Sequence, residues 1–329
     1  MSFAGRAGAV LLAVAAVGVY GVYRIEQPYQ GFAGETFVEF PRGTGTSAMA
    51  AELVKAGVVH SQWEFLLARF ASRTRVLQAG EYRFTKAASP MEVVRRIAKG
   101  DTFYFELVVP EGRNLFDIAA SVEALGLFPA PKFLAAARNP ALIRDLDPSA
   151  QTLEGYLFPS TYRLSRHTSP EALCKLMTAR FRDAWRALGT KADVHRTVTL
   201  ASLVEKEGKL ADERPVIAAV FTNRLRIGMK LDCDPTTIYA ALLLGRYTGV
   251  IHRSDLESDQ PYNTYRHAGL PPGPIANPGA ASLGAALAPA SSDAIYFVAR
   301  ADGSGGHTFS NNIAAHNLAV ERYHRAQHK

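Results

Sequence analysis

The chain has 329 residues, of which 48% are hydrophobic and 20% charged, with a formal net charge of +7 at pH 7. This composition excludes global disorder, and the length suits one or two folded domains. The positive charge favours anionic surroundings, but the chain lacks a Lys/Arg-rich block and a nucleic-acid motif, so no nucleic-acid partner is expected. Cys174 and Cys233 have no metal-type spacing and are predicted to be small core residues, with their pairing left open.

The first predicted element is an apolar helix. Residues 7–23 read AGAVLLAVAAVGVYGVY, bounded by Arg6 and Arg24, and at ~1.5 Å per residue they span about 25 Å, close to the ~30 Å membrane core. A cleaved signal peptide is the alternative, but cutting after Ala15 would leave half of the apolar run in place. The sequence therefore favours a transmembrane helix over 7–24, with a cytoplasmic stub at 1–6, a linker at 25–35 and the folded body outside the cytoplasm.

A repeat follows the apolar run. PRGTGTSAMAAELVKAGVV, from Pro41, aligns without gaps with PEGRNLFDIAASVEALGLF, from Pro110. Each copy follows a strand-like run, turns at Pro-x-Gly, enters a helix that stops at glycine and continues into a second short helix. A strand, AGEYRF, and a helix capped by Ser89 are predicted between the copies. Because two copies are too few for a solenoid, duplicated scaffolding is the alternative to a binding role.

The sequence changes character from Gln151 onward. The aromatic stretch LEGYLFPSTYRL precedes predicted helices from Pro170, from about Asp193, in DERPVIAAVFTNRLRIG and from Asp234, the last with Asp234 as its N-cap. The segment 261–279 is dense in Pro, Gly and Asn and is predicted to be a long ordered loop, a feature that often carries function. A short helix, two strands and a closing helix complete the chain, and this order predicts an α+β fold.

Two glutamates end the helix that starts near residue 193. One helix face carries the residues at i, i+3, i+4 and i+7, which are Leu200, Leu203, Val204 and Glu207. Glu207 therefore stands where the apolar stripe calls for leucine, whereas Glu205 lies about 200° around the helix and is expected at a solvated rim. Burial and the helix dipole would raise the pKa of Glu207, as a general acid requires. A frayed helix end without chemistry is the alternative.

Several segments resemble the YceG-like family of membrane-bound endolytic murein (peptidoglycan) transglycosylases. They are EGYLFPSTY, ASLVEKE, VFTNRLRIGMKLDCDPTTIYA, YNTYRHAGLPPGPIANPG, IYFVARADGSGGHTF and the closing HN. The resemblance covers nearly the whole chain after the apolar run. It implies that residues 36–109 are a LysM-like glycan-binding subdomain, that 110–329 form the catalytic domain and that Glu207 is the catalytic acid/base. Gly208 departs from the family pattern and is expected to end the helix directly after Glu207.

The resemblance also implies site features in the aromatic run from Tyr156 to Tyr162 and in the loop from Tyr262 to Tyr265. With polar residues that could line a cleft or meet peptide carboxylates, the candidate substrate-binding residues are Glu154, Tyr156, Phe158, Tyr162, Asn223, Arg224, Tyr262, Asn263 and Tyr265. Tyrosine rings would stack on sugar faces. An Asx turn is the alternative for Asn263, a core-edge ion pair for Glu154 and a solvated helix face for Arg224. The histidines show no metal-ligand spacing, so neither a metal nor a cofactor is expected.

The reaction implied by the resemblance needs one carboxyl group. Glu207 protonates the glycosidic oxygen after an N-acetylmuramyl unit and, as a carboxylate, takes the proton from the 6-hydroxyl of the same sugar, which attacks C1. The product is a 1,6-anhydro end, and such a lyase at the inner membrane would end the elongation of nascent strands.

Two alternative functions stay open. A lysozyme-like muramidase needs a second carboxylate about 5–9.5 Å away, for which Glu154, Asp232 and Asp234 are candidates. A non-catalytic wall-binding scaffold that recruits peptidoglycan synthases is the alternative from another class, and the glutamate at position 207 argues against it.

Overall fold

A computed structural model describes the backbone of residues 3–327 and the side chains of residues 11–326. The chain divides into two compact units, one ending at Tyr104 and the other beginning at Phe105. Within the described residues the helices and three two-stranded sheets confirm a mixed α+β fold.

The N-terminal unit is a small α/β module preceded by a long helix. Its elements are α1 (Phe3–Glu26), β1 (Thr36–Phe40), α2 (Thr46–Lys55), α3 (Gln62–Ala71), β2 (Gly80–Phe84) and α4 (Pro90–Lys99). β1 and β2 pair antiparallel with Val38 opposite Tyr82. Alternate residues of both strands face one core, in which Phe40, Leu53, Phe65 and Tyr82 are almost fully buried. The predicted cap at Ser89 is present as a capping box with Glu92.

The last turns of α1 belong to this unit. Ile25 lies in its core, and the Arg24 guanidinium donates to Glu64, so the helix extends into the predicted linker. In the part of the chain that the structure describes, no helix is both long and apolar enough to cross a membrane. The predicted transmembrane helix over 7–24 is therefore not supported. The side chains of the predicted stub, 1–6, and of the first positions of that span lie outside the described residues.

The C-terminal unit contains the remaining elements. They are β3 (Phe105–Val109), α5 (Leu115–Ala124), α6 (Ala130–Ala137), a 3₁₀ turn (Pro140–Leu142), β4 (Ser160–Leu164), α7 (Pro170–Ala187), α8 (Val194–Glu207), α9 (Arg214–Arg226), α10 (Asp234–Leu243), α11 (Arg253–Leu256), α12 (Ala280–Leu287), β5 (Tyr296–Ala299), β6 (His307–Ser310) and α13 (Ile313–Gln327). β3 pairs antiparallel with β4, and β5 with β6. Helix α8 packs against α9, α10 and α12 and links the two hydrophobic clusters of the unit.

The sequence repeat corresponds to a strand–helix–helix–strand module in each unit. The first copy is β1–α2–α3–β2 and the second is β3–α5–α6–β4, and in each the closing strand pairs with the opening one. The strand AGEYRF was predicted from the sequence, but the sequence pattern did not assign a closing strand to either copy. The predicted domain end at residue 109 falls at the end of β3, whose partner β4 lies in the C-terminal unit.

The Pro-x-Gly turns of the two copies have different surroundings. The second turn is held by α8 and by the loop before α12, because Lys206 Nζ donates to the Gly112 carbonyl (3.3 Å) and the Gly112 N–H donates to the Asn277 carbonyl (2.9 Å). At the aligned Gly43, an added Cβ would meet no atom within 4 Å. The turn of the second copy is therefore part of the frame around α8.

Glu154 lies in the same frame. Its carboxyl is almost fully buried and accepts hydrogen bonds from the Leu115 N–H and the Asn277 side-chain amide, each at 3.0 Å. Burial raises its pKa to about 8, against the effect of these hydrogen bonds. The structure thus places Glu154 in the core, where it joins α5 to the loop before α12, and not on a cleft that a glycan strand could enter.

Gly155 allows the aromatic stretch to pack closely against α8, and we expect Gly155→Ala to be strongly destabilising. At φ +88° a side chain is strained, and an added Cβ would lie 2.5 Å from Pro274 Cγ and 2.8 Å from Val198 Cγ1. Gly249 (φ +98°) is the matched control, because no atom lies within 4 Å of its added Cβ. Each alanine lowers the free energy of unfolding by about 1–2 kcal/mol, because its backbone must be left-handed. At residue 155 the close contacts of the added Cβ lower it by about 1–3 kcal/mol more.

Thermal unfolding of both variants measures the difference, since each kcal/mol lowers the midpoint by about 2–4 °C in a domain of this size. Equal midpoints for Gly155→Ala and Gly249→Ala would show that the contacts with Pro274 and Val198 contribute nothing.

Candidate active site

Glu207 is the last residue of α8, at the end of its apolar face. The helix starts at the predicted N-cap, Asp193, whose side chain accepts from the Arg196 N–H. Leu200, Leu203 and Val204 of this face are buried in the cluster shared with α9 and α10. The helical-face prediction is thereby confirmed for the apolar positions, and it places the Glu207 carboxyl at the margin of a hydrophobic core.

Gly208 ends the helix immediately after Glu207, as expected. Its N–H still donates to the Val204 carbonyl (2.8 Å), but its backbone is extended, with φ −85° and ψ 94°. An added Cβ would lie 2.9 Å from Arg214 Cγ and 3.0 Å from the Val204 carbonyl oxygen. Glycine at this position therefore permits α9 to start close beside the end of α8.

The surroundings of Glu207 favour its protonated form. Burial is the largest effect and raises its pKa, while the thiol of Cys233, which donates to Oε1 at 3.2 Å, lowers it. The negative charge of Asp234 raises the pKa, and His307 and Lys206 lower it. The net shift is upward, in the direction expected from the sequence, so the carboxyl holds its proton closer to neutral pH than an exposed glutamate does.

Glu205 does not lie at a solvated rim, and that prediction was wrong. Its side chain is only 4% exposed, with Oε1 accepting from Arg214 at 2.9 Å and Oε2 from the Gly279 N–H at 2.9 Å. The loop before α12 and the start of α9 cover this side of the helix, a tertiary effect that the helical wheel cannot show. Glu205 therefore fixes the end of α8 to α9 and α12, while Glu207 faces a different set of groups.

The segment before α10 brings Cys233 and Asp234 to Glu207. α10 begins at Asp234 itself, with Cys233 as the flanking residue, so Asp234 is not the N-cap that the sequence suggested. Its carboxylate instead accepts from the Tyr265 hydroxyl at 2.7 Å. Tyr265 is thus a predicted substrate-binding residue that contacts Asp234, one of the charges acting on Glu207.

The β5–β6 hairpin also contributes to the surroundings of Glu207, through His307. The His307 N–H donates to the Glu213 carboxylate (3.0 Å), His307 Nδ1 lies 2.8 Å from the same carboxylate, and Arg300 pairs with it. These contacts fasten β5 and β6 to the residue before α9. No local pattern in the sequence marks Glu213, His307 or Cys233 as a site residue, because each acts through partners far away in the chain.

Two of the predicted aromatic residues are structural. The Tyr156 ring is fully buried and its hydroxyl donates to Asp147, while the Tyr162 hydroxyl donates to the Phe158 carbonyl. Phe158 itself packs against the core formed by β3, β4, α5, α6 and α7. With their rings inside this core, Tyr156 and Tyr162 cannot stack on a sugar, and the expected substrate role is corrected.

Two polar residues are likewise used inside the fold. Asn223 donates to the carbonyls of Ser292 (2.8 Å) and Ala294 (3.0 Å). The buried Arg224 donates to the carbonyls of Ile295 (2.6 Å) and Leu231 (2.9 Å), among others. These hydrogen bonds attach α9 to the segment that leads into β5 and to the loop before α10, and they use both side chains inside the fold.

Asn263 holds the long loop together. Its side-chain amide donates to the carbonyls of Asp255, Leu256 and Ser258, and its Oδ1 accepts from the Tyr265 N–H at 3.1 Å. This is the loop-stabilising alternative, and the fully buried side chain has no surface for an acetamido group. Tyr262 packs against Tyr239, with ring centroids 5.1 Å apart, and is partly exposed.

The arrangement of possible metal ligands and of the two cysteines bears on the expectations from the sequence. Among the described residues, no group of three or more His, Cys, Asp and Glu side chains is arranged to hold a metal ion. Cys174 and Cys233 are both buried and free, which answers the question of their pairing.

Comparison with known proteins agrees with the geometry. The YceG-like family matches residues 38–322. The endolytic murein transglycosylase of Bacillus subtilis (strain 168) is 34% identical over 307 residues, which cover 87% of this chain and 84% of that protein. That of Streptococcus pneumoniae serotype 2 is 32% identical, and the aligned region covers 87% of this chain but 58% of the relative. The 2.6 Å crystal structure of a YceG-like protein from Listeria monocytogenes matches with a TM-score of 0.55 at 33% identity, over 87% of this chain and 99% of the other. The chain belongs to the YceG-like family.

Proposed function

We propose that this protein is an endolytic peptidoglycan lytic transglycosylase, a lyase that cleaves the bond between N-acetylmuramic acid and N-acetylglucosamine within nascent glycan strands. The observation that carries the proposal is a single carboxyl, Glu207, held at the end of an apolar helix face with a raised pKa. Relatives that are 32–34% identical over most of the chain bear the name endolytic murein transglycosylase, which supports the same activity.

In the proposed reaction Glu207 first acts as an acid. It donates its proton to the glycosidic oxygen, the bond to C1 of the muramyl unit breaks and an oxocarbenium-like state develops. The carboxylate that results then takes the proton from the 6-hydroxyl of the same sugar, whose oxygen attacks C1. Glu207 recovers its proton, and the strand ends in a 1,6-anhydro unit. The raised pKa suits both steps, because the group must hold a proton and then regain one.

The carboxylates considered beside Glu207 each have a partner in the fold. A hydrolase needs a second carboxylate about 5–9.5 Å from the first. Glu205 is bound by Arg214, Asp234 accepts from Tyr265, and Asp232 lies 3.5 Å from Arg224. Glu154, the remaining candidate from the sequence, is enclosed in the core. The lyase reaction uses the substrate's own hydroxyl and requires none of them.

The rest of the proposal concerns location and partners. The strand–helix–helix–strand module of the N-terminal unit would engage glycan as a LysM-like subdomain, and cleavage would end strand elongation beside peptidoglycan synthases. Attachment to the inner membrane, with the catalytic unit on its outer side, is supported by the apolar surface of α1: the side chains of Leu11, Leu12, Val14, Val17 and Val19 are all exposed. Burial of such a surface in lipid is favourable, whereas its exposure to water is costly.

The membrane proposal predicts that the full chain sediments with membranes and stays there after an alkaline carbonate wash. Replacing Leu11, Val14 and Val17 by lysine should release it, because each charge in the hydrocarbon region costs about 2.5–3.5 kcal/mol. Replacing the same three positions by isoleucine is the matched control and should leave the protein in the membrane fraction. Recovery of the wild-type protein in the soluble fraction would contradict the proposed attachment to the membrane.

The activity itself predicts a product of defined mass. Purified glycan strands treated with the full-length protein should yield fragments that lack a reducing end and are lighter by one water than hydrolysis products, as read by mass spectrometry. Glu207→Gln should lower the cleavage rate by roughly 10²–10⁴-fold, since glutamine cannot carry the proton. Its thermal midpoint near neutral pH should equal or exceed that of the wild type, because a raised carboxyl pKa lowers stability as the pH rises through it.

Glu205→Gln is the matched control two residues away. Losing a charged hydrogen-bond partner of Arg214 should cost about 1.5–3 kcal/mol of stability, while most of the turnover is retained below the unfolding temperature. Reducing-end products would favour the muramidase, and undiminished cleavage by Glu207→Gln would remove Glu207 from the mechanism.

A further inference from the structure

The thiol of Cys233 makes an unusual contact for a buried cysteine. Its side chain is 2% exposed, and its sulfur donates to Oε1 of Glu207 at 3.2 Å. Cys174, the other cysteine, lies in the separate cluster around α5, α6 and α7. A cysteine that only filled space would not need to face the one carboxyl assigned to catalysis.

The backbone around Cys233 is built to hold this contact. Asp232, the preceding residue, adopts φ +47°, a left-handed conformation that residues other than glycine seldom take. The Cys233 N–H donates to Thr264 Oγ1 (3.0 Å), and its carbonyl accepts from Thr236 Oγ1 (2.6 Å). Aspartate is among the residues that tolerate this conformation. The left-handed turn at Asp232 and the two threonine hydrogen bonds therefore fix the backbone of the residue whose thiol meets Glu207.

The direction of this hydrogen bond has a chemical consequence. Burial raises the pKa of Cys233 well above its ordinary value, so the group is a thiol and donates its S–H. Oε1 of Glu207 is then the acceptor. The acid proton of Glu207 therefore belongs on Oε2, for which the described residues provide no hydrogen-bonding side chain.

We propose that Cys233 is a positioning residue that holds Oε1 of Glu207 and so directs the acid proton, on Oε2, toward the substrate. The proposal rests on the proposed function of Glu207 and deepens it. In the first step the S–H bond keeps the carboxyl oriented, and in the second it stabilises the carboxylate that accepts the 6-hydroxyl proton. Asp234, next to Cys233, His307 on β6 and Lys206 on α8 also act on Glu207, and all three residues are present in every Cys233 variant.

The test is the pH dependence of kcat/KM for the full-length wild type, Cys233→Ser and Cys233→Ala, with Cys174→Ala as the control for loss of a buried thiol elsewhere. Activity falls at high pH as Glu207 loses its proton. Because the hydrogen bond lowers the Glu207 pKa, Cys233→Ala should move this alkaline limb upward by about 0.4–1 pH unit, with kcat reduced several-fold. Cys233→Ser keeps a donor and should restore both the limb and kcat, and Cys174→Ala should match the wild type.

Thermal unfolding of each variant shows whether the fold is intact. If Cys233→Ala does not fold, the isosteric pair Cys233→Thr and Cys233→Val makes the same comparison, since only threonine keeps a donor. The positioning role would be overturned if the alkaline limb of the kcat/KM profile did not move in Cys233→Ala or Cys233→Val. It would also be overturned if the limb moved equally in Cys174→Ala. If the positioning role fails but Glu207→Gln still loses cleavage, the proposed function of Glu207 is retained. If Glu207→Gln cleaves as well as the wild type, the proposed function of Glu207 and the positioning role of Cys233 are both wrong.

Discussion

The partial burial of one carboxyl at the end of α8 is the constraint on which the rest of the site depends. A carboxylate removed from water is costly unless it is protonated or paired. Glu205 pairs with Arg214, whereas among the described residues no cation forms an ion pair with Glu207. The two glutamates thus divide two tasks within one helical turn. Glu205 is a fixed anion that ties α8 to α9 and α12, and this anchoring allows Glu207 to occupy an environment that favours its neutral form.

The surrounding frame is held by buried polar groups as well as by apolar packing. Asn277 joins three segments, because its amide donates to the Arg113 carbonyl and to Glu154, and its Oδ1 accepts from the Leu157 N–H. A buried group with all of its hydrogen bonds made specifies one arrangement of the chains around it, since any other arrangement leaves bonds unmade. The aromatic stretch, the second repeat and the 261–279 loop are therefore parts of this frame, although the resemblance had implied direct substrate contact for the aromatic stretch and the loop.

Sequence patterns predicted the features of the fold that depend on neighbouring residues in the chain. The repeat, the apolar face of α8, its end at Gly208 and the upward shift of the Glu207 pKa all follow from spacing within a few residues. Features that depend on distant partners were missed or misjudged: Glu205 is covered by residues up to 74 positions away, and Cys233 meets Glu207 across 26 positions. Aromatic and amide side chains such as Tyr156 and Asn263 are found both in ligand-binding clefts and in cores. Their residue types alone therefore could not show which of the two environments they occupy.

The different surroundings of Gly43 and Gly112 have an evolutionary consequence. The turn of the second copy is bonded to Lys206 and Asn277, whereas an added Cβ at Gly43 would meet no atom within 4 Å. Changes in residues 110–112 are therefore expected to displace the end of α8 and the carboxyl that it carries. The second copy should accordingly evolve slowly, at the rate of α8 itself.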